Sequence, residues 1–454
     1  MNTPICDFVR NYAASRPVRM HMPGHKGADI LGFEQYDITE IDGADELFAP
    51  DGIIAESEKN ASALFGAHTL YSAGGSTLCI QAMLWLIAQY AAEQSKSKSE
   101  SKKPLILAGR NAHRAFVNAA ALIGADVKWI FPLGGTFHSC RLTDDDEQRL
   151  DEMIRRYHPT ALYLTSPDYL GGMSDLAAVS KICKKHGVIL AIDNAHGAYL
   201  KFLPRSLHPC DLGADICCDS AHKTLPVITG GAYLHINENA PKIFAEKAKT
   251  AMSIFGSSSP SYLILQSLDA ANARMGEYAA ALCESLPIFD EIRQRISARG
   301  IDIICGEPLK ITVAPKSFGY DGRETAEILK ANNIYPEYYD SDFAVLMLSP
   351  FHANDALRCA DVICSLPRTE PKQAEEPPRC FPKAAMTPRK ALLAPSEVLP
   401  VDRCIGRVCA ASVISCPPAI PLAVCGEIID EDTAKCMKYY GVEECAVVVQ
   451  IFRP

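Results

Sequence analysis

Between residues 66 and 236 the chain alternates short, continuously apolar runs with longer stretches whose apolar positions recur at helical spacing. The pattern predicts strands at 104–108, 127–131, 161–165, 188–192 and 215–218, with helices at 112–124, 144–157 and 176–186 between them. The strand runs do not alternate apolar with polar, as expected where helices cover both faces of a largely parallel sheet. Ligands of such sheets collect at the carboxyl ends of the strands. The longest apolar run, 78–92, is interrupted by Gln81 and Gln89 and falls short of a bilayer span, so a buried helix is expected and no membrane segment.

Further along, a helical region at 262–299 precedes strand, helix and strand at 309–313, 323–331 and 343–348, the pattern of a smaller α+β domain. Prolines then crowd 367–388 and forbid regular structure. A chain of 454 residues exceeds what one core sustains. The expected organisation is an N-terminal arm over 1–60, a major domain over 61–300, a small α+β domain over 301–366, a Pro-rich linker over 367–390 and a C-terminal α/β unit over 391–454.

Composition narrows the class. The net charge is -9 and no Lys/Arg cluster interleaves with aromatics, which excludes a nucleic-acid reading. The lysine run at 96–103 is diluted by Ser and Glu and reads as a solvated loop. Eighteen cysteines show no regular spacing, and the polar opening Met1-Asn2-Thr3 is no secretory leader. Reduced thiols in a cytoplasmic protein are expected. No C-x-x-C occurs, so the sequence reading includes no metal.

Four features carry chemistry. Lys223 lies in Ser220-Ala221-His222-Lys223, just past the expected strand 215–218, where a lysine is presented for covalent work. Gly75-Ser76-Thr77 opens the long apolar helix, and its free N–H groups and hydroxyls suit a phosphate; a plain glycine turn is the bland alternative. Asp193 carries a carboxylate out of the strand 188–192, where a buried charge should meet a cation unless it merely caps the next turn. A protonated ring nitrogen about 3 Å away would gain on the order of 5 kcal/mol at an effective dielectric near 20. His113 follows another strand end and is placed to lie flat on such a ring, or simply to cap the helix after it. An aldehyde cofactor joins the four, and pyridoxal 5'-phosphate has the required parts.

This assembly resembles the ornithine/lysine/arginine decarboxylase family of pyridoxal phosphate enzymes, in its short form without an N-terminal receiver-like domain. The resemblance runs almost end to end: His21-Met22-Pro23-Gly24-His25-Lys26, Gly75-Ser76-Thr77, Arg110-Asn111-Ala112-His113, Ser166-Pro167-Asp168-Tyr169, Asp193-Asn194-Ala195-His196-Gly197, Ser220-Ala221-His222-Lys223-Thr224-Leu225, Ser259-Pro260-Ser261-Tyr262 and Pro417-Pro418-Ala419-Ile420-Pro421. It implies an aspartate-aminotransferase-like α/β fold (fold type I), with a cofactor-binding major domain and a C-terminal decarboxylase-type domain. It further implies that Lys223 carries the cofactor aldehyde, Asp193 pairs with the pyridine nitrogen and His113 stacks on the ring. His196 would support the cofactor near Asp193, and Ser76, Thr77, Ser220 and His222 would hold its phosphate. Ser259 would reach the phosphate of a neighbouring subunit, making a homodimer the smallest active unit. The chain departs from the family pattern at Asn194, where an acid is usual, at Cys416, where a tyrosine is usual, and at Ala419, where glycine is usual.

The bond that breaks in such a site is the one held perpendicular to the ring. Aminotransferases of this fold clamp the substrate carboxylate with a small-domain arginine; the strand 343–348 has none, although Arg358 follows soon after. Decarboxylation of a basic amino acid fits better, with Lys223 or His222 returning the proton. Asp45, Glu46, Asp168 and Glu427 are the candidate acids for the far end of a dibasic substrate, each otherwise a routine surface acid. Arginine, lysine and ornithine stay open, arginine slightly favoured for its resemblance to short Gram-positive-type members acting in polyamine synthesis. The rivals are another pyridoxal phosphate lyase or aminotransferase, and a non-catalytic regulator retaining the fold. No G-x-G-x-x-G opens a helix, which removes a dinucleotide enzyme.

Overall fold

The computed structural model describes residues 1–95, 103–132, 139–304, 306–372, 379–414 and 419–449. Most of the lysine-rich loop, the middle of the proline-rich stretch, and Cys416-Pro417-Pro418 lie outside the described residues. The chain divides into two compact units. The first comprises Met1–Pro104, Leu150–Tyr163 and Leu176–Ala280, the second Leu105–Arg149, Leu164–Asp175 and Ala281–Pro454. Among the described residues no helix is long and apolar enough to cross a membrane.

The large sheet has seven strands, β1 (His68–Ser72), β2 (Leu105–Gly109), β3 (Asp126–Ile130), β4 (Ala161–Thr165), β5 (Ile189–Asp193), β6 (Ile216–Asp219) and β7 (Ala232–Ile236), in the order β1-β7-β6-β5-β4-β2-β3. Strands β2 and β3 pair in parallel, as do β5 and β6, while β7 runs antiparallel to β1 and to β6. Every residue of β5, β6 and β7 is buried, which is why their sequences are apolar without alternation.

In the first unit the helix Gly75–Glu93 buries Leu78, Ile80, Met83, Leu84, Leu86 and Ile87 and packs along the helix Lys242–Phe255. Gln81 and Gln89 are only partly buried, the polar marks that separate this helix from a membrane span. The helical region 262–299 is two helices, Tyr262–Ala273 and Met275–Ala298. Arg274 between them leaves helical backbone at φ -104°, and Gly276 stands two residues beyond the break.

In the second unit a four-stranded antiparallel sheet runs β10 (Tyr338–Tyr339), β11 (Ala344–Met347), β9 (Lys310–Ala314) and β8 (Asp302–Ile304). The two edge strands, two and three residues long, are too short to leave a hydrophobic period in the sequence. The C-terminal part carries its own core, built around Val401, Ile420, Leu422, Ile429, Met437 and Val447.

One polar residue organises the entry to the first unit. The Asp45 carboxylate is buried and accepts five backbone N–H groups: Glu46 and Asp51 on Oδ1, and Gly52, Ile54 and Ala55 on Oδ2, at 2.9–3.2 Å. The last of these belong to the first turn of the helix Ile53–Phe65, whose unpaired donors and dipole favour an anion there. Asp45→Ala strips the charge from all five donors and is expected to lower the unfolding free energy by about 3 kcal/mol in urea titrations; an unchanged midpoint would reject this structural role.

Candidate active site

Strands β5 and β6 are parallel neighbours with Asp193 opposite Cys218, so Asp193 and the segment 220–223 leave the sheet at the same end. Asp193 is 2% exposed. Its Oδ2 accepts the Tyr163 hydroxyl at 3.2 Å, and its Oδ1 accepts the Ala195 N–H at 3.2 Å and the Cys218 thiol at 3.8 Å. Burial, then the Asp193 charge, raise both the Tyr163 phenol and the Cys218 thiol well above their ordinary values, so both stay neutral donors. Among the described residues no cation forms an ion pair with Asp193. A buried carboxylate served only by neutral donors keeps most of its desolvation cost, and a positive ring nitrogen is the kind of group that offsets it.

Lys223 stands on the single-turn helix Ala221–Thr224 directly after β6. That turn is pinned by Lys223 N–H to Ser220 O at 3.0 Å, Leu225 N–H to Ala221 O at 2.8 Å and Tyr278 Oη–H to Thr224 O at 2.7 Å. The Lys223 amine lies 3.0 Å from His196 Nε2, and His196 is buried in the turn that follows Asp193. His222 points elsewhere, its Nδ1 donating to Gly231 O at 2.9 Å. The geometry thus brings His196 to the lysine amine and leaves His222 on the backbone.

The helix start at Gly75 supplies the anion end. Gly74 is the N-cap, Gly75 has φ +65°, and a Cβ added at Gly75 would meet nothing within 4 Å. Ser76 Oγ accepts a hydrogen bond from Ser220 Oγ at 2.8 Å, which ties this helix start to the lysine segment. A cavity of about 250 Å³ opens beside it, lined by Gly74, Thr77, Gln81 and Ser259 among others. Ser259 therefore faces Thr77 within one chain.

Behind Asp193, Asn194 Nδ2 donates to Asp219 Oδ1 at 2.6 Å, and Asp219 Oδ2 receives Nε2 of His208 at 3.2 Å and of His235 at 3.1 Å. Burial raises the Asp219 carboxyl, but the two imidazoles outweigh it and hold the group far below the usual carboxylate range. An acid in place of Asn194 would set a second carboxylate against Asp219, so the amide is the residue this cluster accepts. No sequence signal exposed the cluster, because His208 and His235 reach it from separate segments.

The remaining candidates show a common pattern. His113, in the second unit, is the N-cap of the helix Arg114–Ile123, with Nδ1 accepting the Ala115 N–H at 3.2 Å. Asp168 is buried in its own turn, Oδ1 accepting Leu170 and Gly172 N–H and Oδ2 the Ser139 hydroxyl, and burial raises its carboxyl above the ordinary value. Glu427 is bound by Arg110 in a two-point pair, Nη1–Oε1 2.6 Å and Nη2–Oε2 2.8 Å, and also accepts Val424 N–H. Arg110 adds contacts to the carbonyls of Pro421 and Leu422 and lies over the rings of Trp129 and Phe131. With Asp45 spent on its helix, Glu46 is the one exposed member of the four candidate acids.

Comparison with known proteins settles the class. The family model for the Orn/Lys/Arg decarboxylase major domain matches residues 3–315, and that for its C-terminal domain matches 371–446. The chain belongs to the Orn/Lys/Arg decarboxylase family. It is 29% identical to an arginine decarboxylase of Bacillus subtilis, covering 95% of this chain and 92% of that protein. It is 28% identical to an arginine decarboxylase of Halalkalibacterium halodurans, covering 94% and 91%. In fold it matches the Francisella novicida lysine decarboxylase LdcF (TM-score 0.80, 15% identity, 98% of this chain and 81% of that one) and the constitutive lysine decarboxylase of E. coli (TM-score 0.76, 16% identity, 99% and 82%).

The protein is a pyridoxal-phosphate-dependent amino-acid decarboxylase of the aspartate-aminotransferase-type fold. The residues present fit the cofactor: a cation-free buried carboxylate, an amine beside a histidine, and a helix start with open space above Gly75. Bound there, the cofactor supplies an electron sink for the pair left when carbon dioxide departs. Asp193 and Lys223, the latter with His196 3.0 Å from its amine, are the residues that would hold it.

The Arg110–Glu427 pair generates its own expectation. Glu427→Ala leaves a buried guanidinium without its anion and should cost about 3–5 kcal/mol of stability. Far-UV circular dichroism during urea unfolding measures it; a loss under about 1 kcal/mol would make the pair dispensable.

Proposed function

We propose that this decarboxylase acts on a basic amino acid, with arginine the first substrate to test, releasing carbon dioxide and the corresponding amine. The observation that carries the chemistry is the Asp193 carboxylate, buried, served by neutral donors and set at the same sheet end as Lys223. Arginine is favoured by arginine decarboxylases that align over nearly the whole chain.

In this reading Lys223 binds the cofactor, Asp193 faces its ring nitrogen and His196 supports both. Gly75, Ser76, Thr77, Ser220 and His222 surround the phosphate. Ser259 serves the same end, from its own chain or from the partner of a homodimer. His113 stacks on the ring on the strength of the family resemblance. The amine of Lys223, with His196 at 3.0 Å, is placed to return a proton to the substrate carbon. Asp45, Asp168 and Glu427 are occupied by their own chain, which leaves Glu46 as the candidate for the distal cation. A polyamine-supplying role in a cytoplasm is part of this reading, the first on the family resemblance and the second on the unspaced cysteines.

Two measurements test this. Carbon dioxide release is assayed with arginine, lysine, ornithine and cysteine; turnover of arginine above the others is expected, and turnover of cysteine alone would overturn the reading. Asp193→Asn removes an attraction of about 5 kcal/mol on the ring proton and should lower kcat by about three orders of magnitude with the cofactor still bound. A loss under tenfold would show that the carboxylate does not hold that proton.

A further inference from the structure

The face of β6 that looks away from Asp193 carries a second set of reactive groups. Strand alternation puts Cys217 and Asp219 on one face and Cys218, which reaches Asp193, on the other. On the Cys217 side, the loop after Phe202 folds back through a run of turns, Asp211 N–H to His208 O, Gly213 N–H to Cys210 O and Ala214 N–H to Pro209 O. This delivers His208 and Cys210 to the strand. A ring nitrogen of His208, Cys210 Sγ and Cys217 Sγ lie within 4.8 Å of one another, and the two sulfurs are 3.5 Å apart. His208 and Cys217 are fully buried and Cys210 is 6% exposed.

His208 shows what the cluster lacks. Its Nε2 is spent on Asp219, while its Nδ1, equally buried, has no neighbour to bond but the Cys210 thiol. A carboxylate holding one imidazole nitrogen while the other faces thiols is the arrangement that orients a metal-binding histidine. The neighbouring His235 is different, since both its nitrogens are engaged, by Asp219 and by Thr69 Oγ1.

We propose that His208 Nδ1, Cys210 Sγ and Cys217 Sγ bind one Zn²⁺. Two thiolates and an imidazole are the donors a borderline-soft divalent ion selects. Sulfurs each about 2.3 Å from a tetrahedral centre stand a little under 4 Å apart, close to the spacing present. Two thiolates cancel the charge of the ion, which lowers the cost of holding it at so deeply buried a site. The thiol protons and the Nδ1 proton of His208 leave to solvent on binding. The fourth position falls to water from a cavity of about 400 Å³ that Cys210 borders together with Asp211, Asp215 and Asn237.

The ion would pin the 203–215 loop to β6 and so fix His208 against Asp219, which in turn holds Asn194 beside Asp193. It would act as a positioning element behind the cofactor site, and its presence does not depend on which amino acid is the substrate.

The test uses untagged full-length protein, expressed with zinc in the medium and purified reduced and without chelators. Elemental analysis by mass spectrometry should find about one zinc per chain, and Cys210→Ser and Cys217→Ser should each retain less than about a tenth of it. Cys218→Ala, on the opposite face, should keep it. Should the serine variants fail to fold, cobalt exchanged into the wild type decides, because thiolate ligation gives a near-ultraviolet charge-transfer band and a tetrahedral visible spectrum. Reduced wild type that carries no zinc and develops no such band with added cobalt overturns the proposal, as does a Cys210–Cys217 disulfide whose reduction restores no metal binding.

Discussion

The first unit is arranged around a carboxylate that no cation among the described residues neutralises. Asp193 comes to the tip of a fully buried strand, and its donors are a phenol, a thiol and a backbone N–H, all uncharged. Keeping it charged there costs several kcal/mol against water, a cost a fold retains where a ligand or reaction uses it. The groups around it are fixed in turn: Tyr163 by its buried strand, Lys223 by a pinned single turn, His196 by the turn that follows the same strand. Pre-organisation of this kind leaves little to rearrange if a cationic group is placed against the carboxylate.

What the sequence disclosed follows from how each feature is encoded. Continuously apolar strands and a helix opening on Gly75-Ser76-Thr77 are local patterns, so β4 and the helix Leu176–His186 fall on the residues expected, and β5 and β6 within one residue of them. Lys223 and Asp193 were legible because strand ends announce themselves. The edge strands β8 and β10 were not, since two or three residues leave no measurable period. The His208–Asp219–His235 cluster lay deeper still, because its members come from a loop and two strands and meet only through pairing.

The candidate substrate acids show the limit most clearly. Composition treats Asp45, Asp168, Glu46 and Glu427 alike. In the structure one closes the start of a helix, one ties off its own turn and one is gripped at two points by Arg110. A carboxylate whose lone pairs are filled by its own chain has little left for an incoming cation unless an existing bond is given up. Of the four, Glu46 alone keeps an exposed carboxylate, and neither the charge count nor the motif spacing separates arginine from lysine.

Strand β6 links the two halves of this chemistry. Because side chains alternate, its consecutive cysteines serve opposite sides, Cys218 feeding a neutral donor to Asp193 and Cys217 facing Cys210. Asp219, last in the strand, bonds two imidazoles on one side while reaching Asn194, the residue after Asp193, on the other. A one-residue slip of β6 would exchange the faces and put Cys217 at the carboxylate and Cys218 in the histidine cluster. The register with β5 and β7 thus decides both where Asp193 finds its donors and which sulfur meets His208.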